Sequence, residues 1–108
     1  MKEMLFDLSA SFLKALAHPT RLQILERLKN EDELCVCHIY EDLGLEQSNV
    51  SQHLKVLKDQ GILTSRKDGL MVMYRVNQPK IYEILGSVKE ILLAQLQEAH
   101  DTLRKGDL

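Results

Sequence analysis

Gln47-Ser48-Asn49-Val50-Ser51-Gln52-His53-Leu54-Lys55-Val56-Leu57 is the stretch whose reading decides the fold. Val50, Leu54 and Leu57 recur at i, i+4 and i+7, the spacing of one buried helical stripe. Ser48, Asn49, Ser51, Gln52 and Lys55 lie away from that stripe, and Gln47 adds a further polar side chain to the first turn. Their polar side chains donate and accept hydrogen bonds, as a helix laid in the major groove of DNA requires. The pattern predicts a helix from about Gln47 to Gln60, closed by Gly61. Upstream, about Val36 to Leu43 reads as a short helix ended by Gly44, which suits a left-handed cap. Only Leu45 and Glu46 then separate the two helices. Two helices joined by so short a Gly-containing turn form a helix-turn-helix over about 36–60.

Towards the N-terminus, Leu5, Leu8, Phe12, Leu13 and Leu16 predict an amphipathic helix over about 4–16. His18-Pro19 breaks it, because proline disfavours helix at the preceding residue and suits the first turn of a new one. That second helix runs to about Leu28, with Leu22, Ile24, Leu25 and Leu28 as its apolar side. Lys29-Asn30-Glu31-Asp32-Glu33 reads as a loop. Beyond Gly61, Leu63 to Lys67 and Met71 to Val76 predict a hairpin about an Asp68-Gly69 turn, a wing over about 63–76. Val72, Tyr74 and Val76 alternate with Met71, Met73 and Arg75, so one face packs inward. Pro79 opens a last helix over about 80–104, about 37 Å long at 1.5 Å per residue.

The expected architecture is mainly α with a small β-hairpin, a winged helix-turn-helix in the order ααααββα. The 108 residues suffice for one domain, 1–108. Such a domain cannot cover the last helix along its whole length. The helices over 4–16 and 80–104 are therefore expected to pair with their copies in a two-fold homodimer.

The formal net charge of −2 does not by itself favour a nucleic-acid partner. Its distribution does. Residues 55–80 carry six basic side chains (Lys55, Lys58, Arg66, Lys67, Arg75, Lys80) against two acidic ones (Asp59, Asp68). Such a local excess in an acidic chain suits a face that meets phosphates. Lys55 on the helix, and Arg66 and Lys67 at the hairpin tip, are the expected phosphate or minor-groove contacts. No apolar run reaches the length of a membrane span. Ala15-Leu16-Ala17 imitates a leader cleavage site, but Glu3, Asp7 and Lys14 spoil the segment before it, so a cytoplasmic protein is expected.

Four stretches together resemble the ArsR/SmtB family of metal-responsive repressors. They are Ala15-Leu16-Ala17-His18-Pro19-Thr20-Arg21-Leu22-Gln23-Ile24-Leu25, Glu33-Leu34-Cys35-Val36-Cys37, the helix quoted first, and the strand Tyr74-Arg75-Val76. The resemblance implies a homodimer that binds an inverted-repeat operator in double-stranded DNA and leaves it when an effector binds. Glu46 departs from the family's frequent serine cap, which weakens that cap. His18 replaces the family's usual aspartate or glycine before the proline.

Two cysteines one residue apart are not a secreted disulfide framework, and in a reducing compartment they are expected to be free thiols. Cysteine is a poor helix cap, so capping does not account for Cys35. The helix N-terminus favours thiolate, which Glu31, Asp32 and Glu33 oppose. Within a helix, residues i and i+2 do not face each other. One ion gripping both sulfurs is therefore expected to unwind the first turn of the helix beneath the recognition helix.

The family's arsenic-sensing members carry a third cysteine three residues after the second; here that residue is Tyr40. Cys35 and Cys37 remain the expected metal ligands, with His38 a candidate third that suits zinc, cadmium or lead. Arsenite heads the candidate effectors, held by two thiolates with an external thiol or water; it would act as an effector and not as a catalytic cofactor. The alternative is a redox or reactive-sulfur sensor of the same fold using the same cysteines. Met71 and Met73 are expected to pack and not to ligate copper. With no oxyanion loop, phosphate loop or cleft-forming second domain, an enzyme is not expected.

Overall fold

The computed structural model describes residues 1–106. The elements are α1 (Lys2–Leu16), α2 (Pro19–Leu28), β1 (Leu34–Cys35), α3 (Val36–Leu43), α4 (Gln47–Asp59), β2 (Leu63–Asp68), β3 (Met71–Val76) and α5 (Ile81–Arg104). They fall into two compact units, Met1–Gln78 and the segment from Pro79 onward.

In the first unit α4 packs against α2, α3 and β2. Ile24, Leu25 and Leu28 of α2, Ile39 of α3, and Val50, Leu54 and Leu57 of α4 are at most 1% exposed. Burying each such side chain contributes about 1.5–3 kcal/mol, which seats α4 by its predicted stripe. Pro19 occupies the first turn of α2, and His18 caps it, Nδ1 accepting the Thr20 N–H at 3.1 Å. Gly44 ends α3 at φ 67°, ψ 32°, a conformation a side chain would strain. At the far end of α4 the Ile62 N–H donates to the Leu57 carbonyl and the Asn77 N–H to the Ile62 carbonyl. These bonds join the end of α4 to the end of β3.

The three strands form one antiparallel sheet in the order β1-β3-β2. β2 and β3 are the predicted wing, but the turn lies one residue later than expected. Asp68 pairs with Met71, leaving Gly69-Leu70 as the loop. Gly69 takes φ 63° there. β1 was not anticipated. Two residues are too few to show a strand period, and β1 forms only by pairing with a strand distant in sequence, Leu34 with Tyr74 and Cys35 with Met73. Leu22, expected on the buried side of α2, is 40% exposed.

The second unit holds α5, 24 residues that begin after Lys80. No helix among the described residues is long and apolar enough to cross a membrane.

Candidate DNA interface and sulfur pair

α4 turns Gln47, Ser48, Asn49, Gln52 and Lys55 to solvent, while Ser51 is half-buried. The residues expected to read bases thus share one accessible surface opposite the Val50–Leu54–Leu57 stripe. Glu46 sits at the N-cap without a side-chain cap bond, as its departure from serine implies. The first-turn N–H groups are then not claimed by a capping side chain, an arrangement that accommodates a DNA phosphate.

The back of α4 carries a cluster that the sequence reading missed. Arg21 Nε donates to His53 Nδ1 at 3.1 Å, and Arg21 Nη1 donates to the Ala15 carbonyl at 3.2 Å. The His18 ring centroid lies 4.4 Å from that of His53. Together they tie the recognition helix to the α1–α2 corner. Burial holds the His53 pKa below 6.5, and the neighbouring His18 and Arg21 push the same way. Neutral His53 accepts from Arg21; protonated, it loses that acceptor and faces a guanidinium. Stability from this cluster is therefore complete above pH 6.5 and declines as pH falls below it, because the unfolded chain takes the proton first. His53→Gln keeps an acceptor but has no proton to gain. The stability difference between wild type and this variant is expected to narrow from about pH 7 to about pH 5, a range only histidine titrates through from its ordinary value. Parallel melting curves would contradict it.

Arg66 and Lys67 are exposed on β2. Arg66 is held by carboxylates: its Nε donates to Glu33 Oε2 at 3.0 Å and its Nη2 to Glu33 Oε1. Asp68 Oδ2 lies 3.9 Å from the same Nη2. Lys55 Nζ is likewise 2.8 Å from Asp59 Oδ2. Exposed pairs of this kind contribute about 0–1 kcal/mol, so these cations are exchangeable to another anion at small cost.

Cys35 is the N-cap of α3, at φ −66°, ψ 144°, and its Sγ accepts the Cys37 N–H at 3.0 Å. The sulfur does cap the helix, contrary to expectation. Cys35 is buried, 1% exposed, and Cys37 half-buried. The two are joined in a disulfide with Cα atoms 5.2 Å apart, which corrects the expectation of free thiols. The expectation of an unwound turn concerned an ion held between the two sulfurs; their direct bond requires no unwinding. Cys35 is extended and only Cys37 is helical, so the sulfurs meet while α3 stays intact from Val36 to Leu43.

One sulfur from each cysteine and an imidazole nitrogen of His38 lie within 4.8 Å of one another. His38 is exposed and Tyr40 half-buried. Two of the three carboxylates expected to oppose thiolate are already occupied, Glu31 by Arg27 at 3.1 Å and Glu33 by Arg66.

A family model described as bacterial regulatory protein, arsR family, matches residues 18–65. An uncharacterized HTH-type transcriptional regulator of Mycobacterium tuberculosis, Rv0081, is 40% identical over 96 residues, covering 89% of this chain and 84% of that protein. Its crystal structure superposes with a TM-score of 0.76 over 88% of this chain and 95% of that one. The homodimeric winged helix-turn-helix DNA-binding domain of Mb0332 from Mycobacterium bovis is 30% identical, with a TM-score of 0.76 over 90% of this chain and 89% of that one. The cadmium resistance transcriptional regulatory protein CadC of Listeria innocua is 38% identical over 76 residues, 70% of this chain and 64% of that protein.

Proposed function

We propose, from the premise that the chain belongs to the arsR family of bacterial regulatory proteins, that it is a homodimeric repressor whose operator is released when a thiol-seeking ion closes Cys35 onto Cys37. The carrying observation is that the start of α3, the helix against which α4 packs, holds Cys35 and Cys37 with Cα atoms 5.2 Å apart and a His38 nitrogen within 4.8 Å of both sulfurs, which reduction of the disulfide frees for an ion. Arsenite, bound by two thiolates and an external thiol or water, is the first candidate. Cadmium, zinc or lead would add His38. The similarity to a cadmium resistance regulator supports an ion of this class. Effector and DNA would then be linked through the α3–α4 pair, each weakening the other by the same factor.

DNA contact is assigned to Gln47, Ser48, Asn49, Ser51 and Gln52 at base edges, and to Lys55, Arg66 and Lys67 at phosphates. An inverted-repeat operator follows from a two-fold protein. Within the first unit, α1 exposes Leu5, Phe6, Leu8 and Leu13 at 53–72%. Within the second, α5 exposes Val88, Ile91, Leu92, Leu93 and Leu96 at 48–65%. Apolar faces of this extent call for cover, and the homodimeric relative supports a second copy of the chain on both.

The disulfide favours a second reading, in which oxidation of the same pair is the signal. Here two thiols lose two electrons and two protons to a peroxide, which is reduced. The readings separate in a binding assay on a duplex selected from a randomised inverted-repeat library. Reduced protein is titrated with arsenite, cadmium or zinc, or treated with peroxide, and operator release is followed by anisotropy. Release by an ion under reducing conditions, with affinity falling about 5- to 150-fold, is the expected result. Release by peroxide alone would select the redox reading, and release by neither would end both.

A further inference from the structure

We infer that Glu33 competes with DNA phosphate for Arg66, and that the sulfur pair two residues downstream sets how firmly it competes. The inference rests on the assignment of Arg66 to DNA and of Cys35 and Cys37 to the effector; it supplies a route from one to the other through the wing, alongside that through α3.

Glu33 grips Arg66 with both carboxylate oxygens, one on Nε and one on Nη2. That fork is the geometry in which a guanidinium receives a phosphate, so the carboxylate and the DNA backbone cannot both hold it. The Arg66 side chain remains 54% exposed, within reach of an incoming backbone, while Glu33 is 24% exposed and anchored beside the sheet. Asp68 stands at 3.9 Å as a second acidic neighbour. An exposed pair adds little to folding. Its consequence is to withhold a cation from DNA.

The pairing register connects this clamp to the sulfurs. Cys35 on β1 lies opposite Met73 on β3, and Met73 lies opposite Arg66 on β2. The three residues form one transverse row of the sheet, and Glu33 enters β1 one residue before Leu34. β1 is only two residues long and joins directly to α3 at Cys35. Closing Cys35 onto Cys37 pins the end of this strand to the first turn of α3, and so steadies Glu33 where it meets Arg66. Closed sulfurs and a made clamp occur together in the structure. With the pair open, β1 keeps its pairing with β3 and its burial but loses the covalent tie to the first turn of α3, and Arg66 is more readily surrendered to phosphate. This is a two-state element that both ligands bias, as coupling between sites requires.

The test is a double-mutant cycle of Glu33→Gln and Arg66→Ala, with operator affinity measured against salt for reduced, ion-free protein and for protein closed by arsenite. Glu33→Gln keeps the length and a hydrogen-bonding oxygen but loses the charge. It is expected to tighten operator binding in the ion-free state by about 2- to 5-fold, the scale of an exposed ion pair. The salt dependence should steepen, by up to about one phosphate contact in the arsenite-closed protein where wild type keeps Arg66 on Glu33, a readout that a purely structural role for Glu33 would not move. Release by arsenite should be smaller than in wild type. Arg66→Ala should weaken binding more in the Glu33→Gln background than alone. If Arg66→Ala weakens binding equally in both backgrounds and Glu33→Gln does not tighten it, the competition is overturned while the DNA assignment stands. If Arg66→Ala changes nothing in either background, the DNA assignment of Arg66 fails and the competition with it. If neither arsenite nor peroxide releases wild type, the effector assignment fails separately.

Discussion

Leu92→Glu is expected to yield a folded monomer that binds the inverted-repeat operator about 10²–10⁴-fold more weakly than wild type. Leu92 is 52% exposed, so the substitution disturbs little within its own protomer. In the proposed dimer the same side chain would lie among apolar groups of a second copy, where an unpaired carboxylate is costly. A two-fold repressor grips two half-sites, and the second half-site is reached at the high local concentration the first contact creates. A monomer forfeits that gain without losing any α4 side chain. Leu8→Glu, in α1 and 60% exposed, makes the same test in the first unit. Sedimentation and operator titration check both. A Leu92→Glu protein that remains dimeric at wild-type affinity would remove α5 from the interface.

Cys35→Ser and Cys37→Ser are each expected to leave ion-free operator affinity within about 3-fold of wild type and to abolish the 5- to 150-fold weakening by the ion. Serine is a preferred N-cap residue, so Cys35→Ser retains the bond that Cys35 Sγ now takes from the Cys37 N–H. Cys37 sits on the first turn of α3 and is half-buried, and its hydroxyl replacement keeps the helix. Neither variant can offer an ion two thiolates. Loss of response in only one of them would reduce the site to a single sulfur and make His38 its partner. Full response in both would place the effector elsewhere.

The helices and the wing were legible in the sequence because their signals are local. Val50, Leu54 and Leu57 repeat with the helical period, Gly44 supplies a left-handed end, and Pro19 marks a helix start. The sulfur site was only half legible. The spacing of Cys35 and Cys37 singled out the pair, but its geometry depends on Cys35 being extended, and that follows from its pairing with Met73, far along the chain. Judging the pair by the i, i+2 geometry of a helix, although Cys35 stood at the cap, led to the expectation that one ion shared by both sulfurs unwinds the turn. The Arg21–His53 and Glu33–Arg66 contacts were invisible for the same reason: each joins residues more than thirty apart. The hairpin turn was displaced by one residue because Asp68 looks like a turn residue and yet pairs with Met71. Exposed leucines on α1 and α5 carry the helical period whether a protomer or its partner covers them, so periodicity marks the face without naming its cover.

In the proposed mechanism, the closing of Cys35 onto Cys37 is the event that frees the operator. The direct measurement is a titration of reduced protein on its operator with arsenite, following DNA anisotropy and thiol alkylation by mass spectrometry in the same samples. Operator release should rise in step with protection of both Cys35 and Cys37, and be complete at about one ion per protomer, as linkage between one site and DNA requires. Operator leaving while both thiols remain open to alkylation, or staying bound after both are protected, would contradict it.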